Sequence, residues 1–316
     1  EAGVKGRERG EARRARWSEA ESSAALRGRS EGAGARRSPK SEMERSGIER
    51  SPYFGDRGEV EYMKCAVSDF DGTLYVDERI SRENLEAVAR WQQAGNWFVI
   101  ATGRNVTSIR RQLRALPEEQ RLVPDALILN NGAMIVGGDG EEIYSCPLDH
   151  ETAVGVLEYL DGEDDGGSGV SLKTGKWNVV RKIWMKTNQP PCDGVITLAK
   201  AKNLPEILQI HHRKDTEEDI IRLCGEINAR FPKAIAYPNV KDGDVVARGV
   251  GKARGIEILA EKEGPFEEIL VIGDSVNDLE MIQAYRGAAM ESGSPAVKEA
   301  AAEIVSSVAD YLNGHL

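Results

Sequence analysis

Apolar residues recur along this chain with two different periods, and the switches between them outline its elements. Cys65 to Leu74 reads as a short apolar strand that ends in a polar turn, with Val67, Asp69 and Asp71 in one alternation phase. Ser81 caps an expected helix from about Arg82 to Ala94, with Leu85, Val88, Ala89 and Trp91 on its apolar side and Gly95 closing it. Trp97 to Ala101 is apolar without a break, as in a strand covered on both faces. A helix over Val106–Ala115 and a strand over Asp125–Leu129 follow, then a hairpin of Met134–Val136 and Glu142–Tyr144. This strand–helix–strand order predicts βαβ units, whose loops at the strand C-termini gather ligands.

The middle of the chain has a different texture. A helix is expected over Glu151–Leu160, two strands within Val170–Met185 broken near Gly175, and a strand over Leu204–Ile210. Thr216 caps a helix to about Ala229, and Ala234–Tyr237 returns as a strand. Residues 161–168 form an acidic loop without calcium-loop spacing, and Pro190-Pro191 breaks the chain. These pieces make a small α+β unit, which the pattern leaves open as a tandem domain or an insertion. Val245–Val250 then leads as a strand through Gly251 into a helix beginning at Lys252. Ile269–Ile272 is a regular strand, Ala288–Met290 a short one, and Pro295–Ala302 and Val308–Leu312 read as short helices.

Residues 1–62 are poor in large apolar residues and hold no sustained period, so they are expected to be a disordered tail. Gly58-Glu59-Val60 can be encoded by bases containing GAGGTG, with six more before the Met63 codon, resembling a ribosome-binding site and spacer. The tail is accordingly expected to be non-native, translated upstream sequence. The expected division is 1–62 tail, 63–144 core, 145–242 α+β unit and 243–316 core again.

The 316 residues carry a formal net charge of −10, which argues against broad binding to nucleic acid or anionic membranes. The apolar runs are too short for a membrane span. Four cysteines, widely spaced, show no metal-ligand pattern and fit a reducing, cytoplasmic setting. The oligomeric state is not legible.

The candidate chemistry sits at the expected strand tips. Asp69 and Asp71 are close enough to repel unless a cation or a shared proton intervenes; otherwise they belong to a solvated Asp-Gly turn. Gly72 allows the sharp bend, and Thr73 offers a hydroxyl. The Thr102 hydroxyl and the neighbouring backbone N–H groups at Gly103 can hold a phosphoryl oxygen, or simply build the turn before the next helix. Arg104 is read as a surface residue in preference to an anion contact. Lys252 offers a point charge at a helix start, where the dipole disfavours it. Its Gly251-Lys252 context is not a nucleotide-binding P-loop, because Ala253 stands where a Ser or Thr is needed. Asp274 and Asp278, four apart after the Ile269–Ile272 strand, face one site if a helix begins after Ser275. Four carboxylates at strand tips call for a cation, and oxygen-only ligands suit Mg2+.

DFDGTL (Asp69–Leu74), ATGR (Ala101–Arg104), Lys252 in GVGKARGIEIL and GDSVNDLEM (Gly273–Met281) stand in the order of a known family. The chain resembles the haloacid dehalogenase superfamily of phosphohydrolases, in its Cof-type branch with a large cap. The resemblance implies an α/β, Rossmann-like parallel-sheet core with the α+β unit inserted as a cap. It implies Asp69 as nucleophile, Asp71 as general acid and base, and Thr102 and Lys252 as holders of the transferring phosphoryl. Mg2+ would be bound by Asp69, Asp274 and the Asp71 backbone carbonyl, with Asp278 supporting that shell. Gly72, Thr73, Gly103 and Asn277 would line the phosphate. The stretch Ala289-Met290-Glu291-Ser292-Gly293 departs from the branch, where Gly-Asn-Ala often follows Ala-Met. The implied function is Mg-dependent hydrolysis of small phosphorylated metabolites, including sugar phosphates. A phosphomutase would instead yield isomers, and a phosphoacceptor or metabolite-binding module would not turn over.

Overall fold

The computed structural model describes residues 63–118, 121–163, 166–180 and 192–316. The tail 1–62, Ile183 to Met185 and Pro190-Pro191 lie outside the described residues. Among the described residues two sheets form, one of eight strands and one of six.

The larger sheet grows around β1 (Cys65–Asp69), which pairs in parallel with β2 (Trp97–Ala101) on one side and β12 (Ile269–Gly273) on the other. All five residues of β1 are buried, because both faces are covered. Ala66 joins α1 (Arg82–Gln93), α2 (Val106–Ala115) and the final helix Val308–His315 in one core. Cys65 and Val67 point the other way, toward α6 (Lys252–Glu263) and α7 (Leu279–Tyr285). Both early helices are capped as expected of their residue types: the Ser81 hydroxyl accepts from Asn84 N, and the Asn105 side chain accepts from Ser108 N. β3 (Ala126–Leu129) adds in parallel to β2, and β4 (Met134–Gly137) and β5 (Glu142–Ser145) close that edge antiparallel. β13 (Ala288–Met290) and β14 (Glu303–Val305) close the other.

The chain leaves this sheet after β5 and builds the second one before returning, so the α+β unit is an insertion. It holds α3 (His150–Asp161), β6 (Gly167–Leu172), β7 (Gly175–Val180), β8 (Gly194–Thr197), α4 (Leu198–Ala201), β9 (Gln209–Arg213), α5 (Glu217–Arg230), β10 (Ala234–Asn239) and β11 (Asp242–Ala247). Two sequence expectations are corrected here. The strand expected over Leu204–Ile210 lies at Gln209–Arg213, and the strand expected to lead into Lys252 ends at Ala247 and pairs with β9 and β10. Position 242/243, the expected boundary, thus falls inside β11. Arg248–Gly251 is the return linker to α6.

One face of the inserted sheet packs Val170, Ile210 and Val245 against α3 and α5. Its other face is polar: Lys176 and Gln209 both stand opposite Ser171, and Asp244 stands opposite His211. This face meets the C-terminal ends of the core strands.

Candidate active site

β1 and β12 are parallel neighbours, so Asp69 and Asp274 emerge from adjacent strand ends at the same edge. Gly72 bends the chain at a φ of +88°, and a Cβ there would stand 2.5 Å from Asp274 Oδ2. Thr73 donates its hydroxyl to Asp274 Oδ1 at 2.6 Å. After β12 a 3-10 turn, Val276–Asp278, precedes α7. The Asp278 carboxylate serves two purposes: Oδ2 accepts from the backbone N–H of Asp274 (3.1 Å) and Ser275 (3.0 Å), while Oδ1 faces the site. One side chain therefore both closes the turn before α7 and faces the site.

Lys252, the first residue of α6 and 2% exposed, reaches Asp69 Oδ1 and Asp278 Oδ1, each at 2.6 Å. Burial opposes its charge, but Asp278 and Asp69 outweigh that and raise the ammonium above its usual range, so it stays protonated. Burial drives the Asp69 carboxyl well above the carboxylate range; Lys252 pulls against this, and Asp278 and Asp274 add to the rise. Burial likewise raises Asp274, opposed by the Thr73 hydrogen bond.

Asp69, Asp274 and Asp278 each bring an oxygen within 4.8 Å of the others. Three carboxylates against one ammonium leave a surplus of two negative charges when all are ionised, and Asp69 Oδ2 is buried with no hydrogen-bond partner among the described residues. An oxygen-only donor set with that surplus and an orphaned oxygen fits a hard divalent cation.

The remaining sequence candidates divide. Thr102, 1% exposed, sits at the end of β2 and accepts at its hydroxyl from Arg104 N (3.1 Å). Asn277 is buried and donates to Asn131 Oδ1 at 3.3 Å. The Asp71 carboxylate lies outside the acidic group and is held by Arg104, Nε to Oδ2 at 2.7 Å and Nη2 to Oδ1 at 2.6 Å. Arg104 is therefore not the plain surface residue expected; its side chain is 29% exposed. Asn131, Gln209 and Asp244, which join the inserted sheet to the core, were not singled out in the sequence as site residues. Nothing in residue type or spacing marks Gln209 or Asp244 for such a role.

The family of haloacid dehalogenase-like hydrolases matches residues 66–314. The chain belongs to this family, and its α+β unit is inserted in the core as a cap. It is similar to the 5-amino-6-(5-phospho-D-ribitylamino)uracil phosphatase of Bacillus subtilis, 27% identical over 245 residues that cover 76% of this chain and 88% of the relative. It is 25% identical to the HMP-PP phosphatase of Citrobacter koseri over 240 residues, 73% of this chain and 85% of the relative. Among solved structures, a subclass IIB sugar phosphatase of the superfamily superposes with a TM-score of 0.65 at 25% identity, covering 79% of this chain and 97% of that one. A haloacid dehalogenase-like hydrolase from B. subtilis, TM-score 0.66 at 18% identity over 80% of this chain and 99% of that one, shares the fold. With its acidic cluster in place, the chain is a phosphatase-type hydrolase.

Proposed function

We propose that the protein hydrolyses small phosphate monoesters, sugar phosphates among them, in two steps at Asp69 with Mg2+ as its cation. The observation that carries the reading is the buried Asp69–Lys252–Asp278 row beside Asp274. Asp69, Asp274 and Asp278 would hold Mg2+, joined by the Asp71 backbone carbonyl as the family resemblance implies. Bound there, the ion supplies charge neutralisation between a carboxylate nucleophile and an anionic substrate.

The chain's own residues carry the steps. The Asp69 carboxylate attacks phosphorus, forming an O–P bond as the bond to the leaving oxygen breaks, and that oxygen takes a proton from the Asp71 carboxyl. Asp71 then accepts a proton from water, which attacks phosphorus and breaks the Asp69–phosphorus bond, freeing inorganic phosphate. Lys252 and Thr102, with the N–H of Gly103 and the Gly72-Thr73 turn, hold the phosphoryl oxygens. Asn277 orders that shell.

Asp71 must exchange Arg104 for the leaving oxygen. The Arg104–Asp71 pair is bidentate, with side chains 29% and 45% exposed, so it is stronger than a single exposed contact. Its loss would be offset as Arg104 takes up the negative charge of the substrate.

The leaving group would lie against the polar face of the inserted sheet. Among the described residues no ion pair or hydrogen bond engages the Lys176 ammonium, and Gln209 Oε1 and both His211 ring nitrogens lack partners. Burial, and then the Lys176 charge, keep His211 neutral, so it can donate from one nitrogen and accept at the other. Ammonium, amide and imidazole together suit a hydroxyl-rich leaving group.

No helix among the described residues is long and apolar enough to cross a membrane, and all four cysteines are free thiols, which supports a cytoplasmic enzyme. The net charge of −10 favours small metabolites over nucleic acid as partners. The deciding experiment is a phosphate-release assay over a panel of metabolite monoesters with and without Mg2+. Steady Mg-dependent release is expected; isomer formation without release would make the protein a mutase, and a persistent label on Asp69 would make it a phosphoacceptor.

A further inference from the structure

Asn131 is 1% exposed and sits in the turn Asn130–Gly132 after β3, with a φ of 53°. A turn alone does not need a buried amide, and a left-handed backbone suits glycine better. Yet both ends of this side chain are engaged. Nδ2 donates to Asp244 Oδ2 of the inserted sheet at 3.0 Å, and Oδ1 accepts from Asn277 Nδ2 at 3.3 Å. Asn277 Oδ1 in turn accepts from the Ser275 hydroxyl. On the far side, Asp244 Oδ1 accepts from Gln209 Nε2 at 2.6 Å, and the same nitrogen reaches the Gly103 carbonyl at 3.3 Å.

The direction of this chain does not depend on how any amide was oriented. An ionised carboxylate only accepts, so the Asn131 atom facing Asp244 must be the amino nitrogen. That leaves the Asn131 oxygen for Asn277, and the Asn277 oxygen for Ser275. One carboxylate on the inserted sheet thereby sets the polarity of three successive hydrogen bonds. They end at the Ser275–Asp278 loop, whose last residue holds Lys252. The same turn also presses on the start of α6: a Cβ at Gly132 would stand 2.2 Å from the Gly251 carbonyl oxygen.

Resting on the hydrolase reading above, we propose that Asn131 is a positioning residue through which Asp244 of the seated cap orients Asn277 and the Ser275–Asp278 loop for phosphoryl transfer. With the cap unseated, Asn131 loses its acceptor, and the loop is no longer held in its reactive orientation. Chemistry is thereby coupled to closure of the inserted sheet over the Thr102–Gly103 turn.

Three variants of the full chain with Mg2+ test this, using an alkyl phosphate monoester that the wild type turns over. Asn131→Gly keeps a residue that accepts positive φ and deletes only the amide. It should stay folded, with a melting temperature lowered by the loss of two buried hydrogen bonds no further than in Asn131→Asp, while kcat falls on the order of 10–100-fold, with KM much less affected. Asn131→Asp should lower kcat at least as far, because two carboxylates would stand 3.0 Å apart. Adding Asp244→Asn to Asn131→Asp exchanges donor and acceptor and should recover roughly tenfold or more of that loss. Wild-type kcat in Asn131→Gly would overturn the proposal. So would a loss confined to KM, kcat losses that track the melting temperatures, or a paired variant without recovery. An inactive wild type across the panel would instead sink the hydrolase reading.

Discussion

Asp69 and Asp71 differ in burial and in partner, and substitutions should separate them. Asp69→Asn removes the carboxylate proposed as nucleophile and should lower turnover roughly a thousandfold or more, with no phosphate adduct found by rapid-quench mass analysis. Asp71→Asn leaves the acidic cluster intact and should lose about 10²–10⁴-fold, less for an aryl phosphate than for an alkyl one whose leaving oxygen needs the proton more. Equal losses on both substrates, where chemistry limits both rates, would count against leaving-group protonation. Asp244 gives a pH prediction. Burial raises its carboxyl from the usual 3.8 to about 6, against the hydrogen bonds from Asn131 and Gln209 and the nearby Lys176 charge, with Asp242 adding to the rise. The folded state then keeps a proton where the unfolded chain has lost it. Its contribution is full below the unfolded value and fades as pH rises to about 6. In Asp244→Asn that fading is absent, so the melting-temperature difference between variant and wild type should move in the variant's favour across that window. A flat difference would mean that Asp244 titrates normally. The residues legible in the sequence were those whose type and spacing carry chemistry, Asp69, Lys252, Asp274 and Asp278. Asn131, Gln209 and Asp244 act only through contacts between distant segments.

At the scale of elements, the core strands were readable because both their faces are buried. Trp97–Ala101 and Ile269–Gly273 are apolar runs closed by small or polar residues, and the structure places them within a residue of expectation. β9 was misplaced for the opposite reason. Its sequence Gln209-Ile210-His211-His212-Arg213 buries four residues, three of them polar: Gln209 and His211 on the face roofed by the core, and His212 on the helix-packed face, where its Nδ1 pairs with Ser168 Oγ at 2.8 Å. Hydropathy favoured the neighbouring Leu204–Leu208, which is not strand. β8 and β14, four and three residues long, were too short to show a period. The turn between β3 and β4 should be intolerant of side chains at Gly132, where φ is +101°. Gly132→Ala should lose about 1–2 kcal/mol to the left-handed backbone alone, and more to the contact with Gly251. Calorimetry should find the melting temperature several degrees lower; an unchanged value would mean that the α6 start yields easily.

Over the whole molecule, the surplus negative charge at one sheet edge makes the fold itself a reporter of the cation. A ligand bound only by the folded state at a hundred times its Kd stabilises by about 2.7 kcal/mol, so Mg2+ should raise the melting temperature measurably and EDTA should reverse the rise. Asp274→Ala should abolish the response, and an undiminished response would place the ion elsewhere. The sequence could not decide between tandem and inserted domains, because that choice lies in which strands pair, and β11 pairs with β9 and β10 across a turn of ordinary composition. The insertion also orders events during synthesis. Asp69 is made 183 residues before Lys252, and β12, the partner of β1, follows only after Lys252, while the strands of the second sheet are consecutive in the chain. A nascent chain emerging from the ribosome can complete the cap while the core still lacks its central partner, since a long loop adds entropy that only late contacts repay. The phosphatase machinery is thus completed last, and a chain released early carries a finished lid over half a core.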